Sequence, residues 1–322
     1  MSFVSIVIID FQRKIFLKNA IESVLRQNID RNIYEIIVVK NYKSEIDRWL
    51  ESQRVKCIYS EERSYGSKIL EAMRLIKGDV IALLDDDDIF LENKLLNINH
   101  VFNEDSRLGY YHNFYKKINQ NGIEISKRFW FGERKRAFDR EVRHDDYRNI
   151  SKLNFLGGDF NHSSITFRIK LLEGIERELP NVTGSFDTLL YFLCSAKGFN
   201  YKFTSQPLTG YRIHQSTSSR LAERNSRIEY KIKQLNNYNR IKLIIENYGN
   251  YNLTKLLNLK IVDTELSLEI LSNANRRFLF RSLLKYSKFH FYQSAPYLFK
   301  GIIFLSFLIL PRSILQFREN MI

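Results

Sequence analysis

Two hydrophobic periods take turns along the first part of the chain. Residues 3–9 (Phe-Val-Ser-Ile-Val-Ile-Ile) form a short, largely β-branched apolar run, the pattern of a buried strand. Asp10-Phe11-Gln12-Arg13 follows as a loop, and Leu17, Ala20, Ile21, Val24 and Leu25 then recur at helical spacing. The cycle repeats with a strand at 33–39, a helix at 44–52 and a strand at 56–59. Gly66-Ser67-Lys68 opens another helix with Ile69, Ala72, Met73 and Ile76 among its apolar positions, and a strand follows at 80–84. Such strand–helix alternation predicts a parallel sheet with helices on its faces. It is the first half of a nucleotide-binding α/β domain by pattern, with neither G-x-G-x-x-G nor a Walker loop.

Further on, a helix is expected at 91–102. Two strands, 108–118 and 123–131, are expected around the hairpin signal Asn121-Gly122. The densely charged stretch 131–149 reads as a mobile loop. A strand at 163–167, a helix at 187–196 and a strand at 208–213 complete this part. Beyond residue 215 strand signals fade, and helical patterns rich in Leu, Ile, Asn and Lys take over at 221–248, 253–272, 276–289 and 295–310. A boundary therefore divides residues 1–218 from a helical region, 219–322.

The chemistry concentrates at Asp85-Asp86-Asp87-Asp88, directly after the strand at 80–84. Ligands of open α/β sheets bind past the carboxyl ends of strands. Four consecutive carboxylates suit a hard cation such as Mg²⁺ or Mn²⁺ shared with substrate phosphates. The alternative is a solvated acidic turn that caps the next helix.

Composition adds one asymmetry. The net charge is +14, and residues 216–322 hold 17 Lys/Arg against 7 Asp/Glu. That field attracts anionic polymers or anionic lipid. The apolar run at 295–310 is interrupted by Lys300 and ended by Pro311, short of the roughly 20 residues of a membrane span, so an interfacial helix fits better than a crossing one. Cys57 and Cys194 suggest neither zinc nor a disulfide framework, and no basic leader precedes the first strand, so a reduced intracellular setting without a signal peptide is expected.

Taken in order, these motifs resemble glycosyltransferase family 2, over roughly residues 3–219. Asp10-Phe11-Gln12-Arg13 is similar to the family's T-Y-N-R-like turn, and Glu35–Val39 to its E-I-I-V-V strand. Gly66 and Ala72 sit where a Gly-rich helix start precedes the central strand. Leu84–Asp88 resembles L-D-x-D-D with its D-x-D metal motif, and Asp187 stands where an E-D pair is common. Tyr211-Arg212-Ile213-His214 resembles a late Y-R-x-H, followed by Ser216–Ser219. Two positions depart from the pattern. Lys40-Asn41 replaces the usual Asp-Asp, one of whose carboxylates contacts the nucleotide base, and Phe186 replaces the acidic partner of Asp187.

The resemblance implies a GT-A fold: an α/β, Rossmann-like mixed sheet with helices on both faces, here with a C-terminal helical region. It also implies inverting transfer of a sugar from a nucleotide-sugar donor to an acceptor hydroxyl, assisted by Mg²⁺ or Mn²⁺. On that reading Asp87 is the metal ligand, joined by His214, while Asp88 serves as ligand or helix cap. Asp10, Phe11, Asn41, Lys68, Asp85 and Asp86 contact the donor nucleotide. Asn41 offers an amide to the base, Lys40 neutralises phosphate, and Arg212 pairs with phosphate through its planar fork. Asp187 is the base that deprotonates the acceptor. His162-Ser163-Ser164 marks the start of the acceptor side, and Trp130 and Phe131 belong to the core. The acceptor is a glycan, lipid-linked as the tail suggests, reached by a cytoplasmic enzyme peripheral at the inner membrane face through its basic apolar C-terminus. Two other readings use the same features: a sugar nucleotidyltransferase, and a non-enzymatic nucleic-acid-binding protein. The latter lacks any nucleic-acid motif.

Overall fold

Burial on both faces is what turns the apolar runs into strands. In the computed structural model, which describes residues 2–11, 15–125, 138–214 and 223–272, they build one mixed sheet. Its strands are β1 (Val4–Ile9), β2 (Tyr34–Lys40), β3 (Val55–Tyr59), β4 (Val80–Asp85), β5 (Ile89–Phe90), β6 (Leu108–Ile118), β7 (Arg140–Val142), β8 (Ile165–Arg168) and β9 (Asn200–Arg212). The order is β3-β2-β1-β4-β8-β6-β9-β5, with β7 paired to β9. The pairs within β3-β2-β1-β4 are parallel, β8 runs antiparallel to β4 and β6, and β9 is parallel to β6.

Every residue of β1 and β2 is buried. Alternate positions Val4, Ile6 and Ile8 of β1, with Ile36 and Val38 of β2 and Ala82 and Leu84 of β4, pack against helices α1 (Leu17–Leu25) and α4 (Lys94–Glu104). Helix α3 (Tyr65–Met73) lies against β1 and β2. The register sets Ile9 opposite both Val39 and Asp85, so the carboxyl ends of β1, β2 and β4 open at one edge. Helices α2 (Ile46–Ser52) and α6 (Phe186–Ala196) complete this part of the chain.

The chain divides into two compact units, residues 1–145 with 156–217, and residues 146–155 with 218–322. In the second unit α7 (Arg224–Glu246) and α8 (Tyr251–Leu271) pack on one another. Gly249 turns between them at φ +65°, a conformation a side chain would strain. Helix α5 (Tyr147–Phe155) joins this unit, and Tyr147 Oη accepts from Asn250 Nδ2 at 2.8 Å.

Three expectations are corrected. The charged stretch 131–149 contains strand β7 and the start of α5 within its described part. Its mixed signs had hidden the buried Val142 of β7. The second hairpin arm reduces, among the described residues, to a bridge from Ile118 to Glu124. Strand β9 begins at Asn200, with Tyr201 and Phe203 buried alternately with partly exposed Lys202 and Thr204. The expected helices at 276–289 and 295–310, Trp130, Phe131, Gln12, Arg13 and Ser216–Ser219 lie outside the described residues.

Candidate active site

Strand β4 delivers the acidic tetrad to the open edge, and the four carboxylates separate into two directions. Asp85, Asp87 and Asp88 each offer an oxygen within 4.8 Å of the others. Asp86 is fully buried and lies outside that group. His214 Nε2 lies 2.8 Å from Asp87 Oδ2, and its ring tilts on Phe16 at 5.4 Å. The structure thus brings Asp87 and His214 together.

Asp88 is not a helix cap. The helix that follows starts at Lys94, with Asn93 before it in a left-handed conformation. Asp88 Oδ1 instead accepts the Arg212 backbone N–H at 2.8 Å, while its buried Oδ2 has no partner. Burial raises its pKa well above the ordinary value, and Asp87 and Asp85 add to the rise, against Ser163 and Arg212. An orphaned oxygen beside two more carboxylates and an imidazole is the donor set a hard cation completes, so the residues present fit a divalent metal.

Arg212 is placed differently from the phosphate contact expected of it. It is 2% exposed, and its guanidinium donates to the backbone carbonyls of Asp87 (2.6 Å), Asn119 (3.0 Å) and Gln120 (2.6 Å) while stacking on Phe16. The planar fork clamps the tetrad turn to the end of β6. Below the turn, Ser163 Oγ accepts the Asp85 N–H at 2.9 Å. The buried Lys94 ammonium donates to the Ser163 carbonyl and, at 3.0 Å, to Thr209 Oγ1.

The ends of β1 and β2 open at the same edge. Asp10 is fully buried and accepts a hydrogen bond from Tyr42 Oη. Lys68 Nζ reaches the Asp10 carbonyl at 3.4 Å and lies 5.2 Å from the Phe11 ring centroid. Burial lowers its pKa, opposed mainly by Asp10. Phe11 is 41% exposed, and Asn41 Oδ1 is buried without a partner. Lys40, by contrast, is wholly buried and ion-paired to Asp47, its ammonium 4.6 Å from the Tyr42 ring. It anchors the start of α2 and the Tyr42 ring rather than facing a phosphate.

Asp187 lies in the first turn of α6, one residue past Phe186 and two past Ser185, which carries a left-handed φ of 53°. The helix therefore starts earlier than expected, and Asp187 is not its N-cap. Thr188 Oγ1 bonds the buried Asp159 at 2.9 Å. Between Asp187 and the tetrad stands a group weighted little from sequence. His162 Nδ1 is 3.4 Å from Asp85 Oδ1, and its ring stacks on Tyr65 at 4.4 Å. Burial pushes the His162 pKa down, but Asp85, then Asp187 and Asp88, raise it to about 9. Its position in His162-Ser163-Ser164 was visible; its approach to Asp85 comes from the strand pairing of β4 with β8. Tyr65 carried no sequence signal beyond starting a helix.

The profile of glycosyl transferase family 2 matches residues 5–173, more than half of the chain and the whole tetrad region. The chain belongs to glycosyl transferase family 2. It is a glycosyltransferase with a GT-A fold. No curated protein matches the sequence. Among solved structures, S. aureus TarS aligns at 12% identity with a TM-score of 0.56, over 83% of this chain and 44% of its own. This family 2 chain thus spans less than half of that TarS chain. TarS 1–349 in complex with UDP-GlcNAc aligns at 13% identity and TM-score 0.54, over 95% of this chain and 91% of its own. The mannosyltransferase PcManGT from Pyrobaculum calidifontis, in complex with GDP-Man and Mn²⁺, aligns at 12% identity and TM-score 0.56, over 99% and 84%. At these identities the likeness is one of fold. Among the described residues no helix is long and apolar enough to cross a membrane.

Proposed function

We propose that this glycosyltransferase moves a sugar from a nucleotide-sugar donor to an acceptor hydroxyl by single displacement, with inversion at the anomeric carbon. The observation that carries the reading is the Asp85–Asp87–Asp88 cluster, whose oxygens lie within 4.8 Å of one another with His162 Nδ1 3.4 Å from Asp85 Oδ1; Asp187, in the first turn of α6, is the second acidic centre. The first is where a diphosphate leaves, and the second is where an acceptor is deprotonated.

Asp87, Asp88 and His214 would hold a divalent cation, with Asp85 beside them. Such a cation supplies charge neutralisation for the leaving diphosphate. UDP-GlcNAc with TarS and GDP-Man with PcManGT support a sugar nucleotide as donor, and the Mn²⁺ of the latter supports a divalent ion. Asp10, Phe11, Asn41, Lys68 and Asp86 line the nucleotide end. The orphaned Asn41 Oδ1 accepts from a base N–H, as an amide can, in place of the usual carboxylate. Asp187, in the first turn of α6, takes the acceptor proton. Residues 1–218 form the catalytic domain on this reading, and 219–322 bring it peripherally to the cytoplasmic membrane face, where a lipid-linked glycan is the acceptor.

The test is a thermal-shift panel of nucleotide sugars with Mn²⁺ or Mg²⁺ and with EDTA, followed by turnover. A metal-dependent shift with one donor, lost in Asp87→Ala, is expected. Asp187→Asn should keep donor binding and lower transfer by at least 100-fold, in the range of a lost general base. Full turnover in both variants would remove the assignment.

A further inference from the structure

Three aromatic rings form a row from the nucleotide end of the site to the metal cluster. Phe11 faces Tyr65 at 6.2 Å, and Tyr65 stacks on His162 at 4.4 Å with the planes 25° apart. Phe186 closes the other side of Tyr65 at 5.3 Å. Within this apolar row two polar atoms are buried and have no hydrogen-bond partner among the described residues: Tyr65 Oη and His162 Nε2. A buried polar atom left unpaired is costly. These two sit on adjoining rings, from elements far apart in sequence.

The backbone around them is held in place. Asn161, just before His162, has φ +73° and is fixed by its own side chain, which accepts from the Ser163 N–H at 3.1 Å and donates to Ser164 Oγ at 3.2 Å. Strain of this kind in a non-glycine residue persists where the surroundings over-determine it, and it clusters at ligand sites. On the other side, Gly66 brings the start of α3 against the Leu179 carbonyl, so closely that a Cβ would lie 1.9 Å from that oxygen. Tyr65 is therefore fixed by the loop that leads to Asp187. His162 keeps 18% of its side-chain surface open, which makes it the more accessible ring of the pair.

We propose that Tyr65 and His162 form a two-atom recognition site for a hydroxyl of the donor's sugar, and that they set donor specificity. The inference rests on the nucleotide-sugar reading above. The row starts at Phe11 on the nucleotide side and ends at Asp85, so the pair flanks the path from diphosphate to sugar. A phenol and an imidazole offer a donor and an acceptor between them, which matches a hydroxyl. Sites built to bond a hydroxyl discriminate strongly, because their buried groups are left unpaired by the wrong ligand.

The experiment measures affinity for UDP, UDP-GlcNAc, GDP and GDP-Man with Mn²⁺, on wild type, Tyr65→Phe and His162→Gln. Tyr65→Phe removes one oxygen and keeps the ring stack. The expected result is an unchanged nucleoside diphosphate affinity and a roughly tenfold loss of nucleotide-sugar affinity, the scale of one hydrogen bond to substrate. Its Tm should hold or rise, since an unpaired buried hydroxyl is gone. His162→Gln should show the same selective loss. An unchanged ratio of sugar nucleotide to nucleotide in both variants overturns the proposal and leaves the pair as packing. An unchanged ratio with slower transfer to an acceptor also overturns it, and moves the contact to the acceptor. Failure of wild type to bind any nucleotide sugar of the wider panel above, across all bases, instead removes the nucleotide-sugar reading, and the proposal with it.

Discussion

Glu35 shows how one carboxylate joins three strands' worth of structure. It is 6% exposed in β2 and accepts from Ser5 Oγ at 2.6 Å, Lys56 Nζ at 2.5 Å and the Lys77 N–H at 2.6 Å. Burial raises its pKa, but those three donors and the Lys56 charge outweigh it, and the net shift is downward from 4.5. A depressed folded pKa contributes stability that is present above 4.5 and lost as pH falls through the folded value. Glu35→Gln should therefore lower stability at pH 7 by about 1–3 kcal/mol, the scale of lost charge-assisted bonds. Melts at pH 7 and at successive steps below 4.5 check the sign. The gap between variant and wild type should narrow toward acid, and a constant gap would refute the role. At this scale the sequence is legible where chemistry is crowded. Four adjacent aspartates announce a cation site, and Glu35 opens a recognisable strand. It is illegible where a role depends on who arrives from elsewhere. Asp88 is decided by the Arg212 N–H, and Arg212 by three carbonyls of distant turns. Tyr65 and His162 are orphaned together only after β8 pairs with β4 and α3 meets the loop at 179–182.

Helix α3 carries the element-scale lesson. Its start is written locally: Ser64 Oγ accepts the Ser67 N–H at 2.9 Å as an N-cap, and Ile69 and Ala72 face the core. The reason for Gly66 is not local. The Gly66 N–H bonds the Val182 carbonyl at 3.0 Å, and the backbone at Leu179 occupies the space of a side chain. Gly66→Ala meets a backbone carbonyl rather than a flexible side chain, so relief requires moving the helix or the loop. Helical propensity favours alanine by up to about 1 kcal/mol, and overpacking opposes it by about 1–3 kcal/mol or more. The clash wins. A Tm lower than wild type is expected, with weakened donor binding because Tyr65 and Lys68 flank the glycine. Ser64→Ala provides the contrast: a loss of about 1 kcal/mol from the cap alone. A Gly66→Ala variant as stable as wild type would show that the approach relaxes freely. The same distinction explains which elements were missed. Continuous apolar runs mark β1 and β2, buried on both faces, and the 3.6 period marks α1, buried on one. The signal is lost in β7, where charged residues precede the single buried Val142, and thinned in α5, where only Ile150 and Leu153 of the four buried residues are apolar.

The distribution of charge sets the behaviour of the whole molecule. Of the net +14, residues 216–322 hold a surplus given by 17 basic against 7 acidic side chains, while the part that carries the tetrad is close to balanced. On the proposed reading, an acidic cluster and a basic C-terminal sequence in one chain serve different partners: a metal–diphosphate at the first and an anionic surface at the second. Each Lys or Arg near an anionic bilayer is worth about 1 kcal/mol, and the field decays within a Debye length of roughly 8 Å at physiological salt. Co-sedimentation of the full chain with vesicles should therefore be strong for phosphatidylglycerol-rich membranes, weak for phosphatidylcholine, and substantially reversed by 0.5–1 M salt, concentrations at roughly which the Debye length falls to a few Å. If apolar insertion of the 295–310 segment contributes as well, a salt-resistant fraction remains on vesicles of both kinds. Equal binding to neutral and anionic vesicles, untouched by salt, would remove the electrostatic part of the membrane reading and leave insertion alone. Tight, salt-sensitive retention on RNA with no vesicle binding would instead assign the same surplus to a polyanion, leaving the glycosyltransferase site without a membrane to serve.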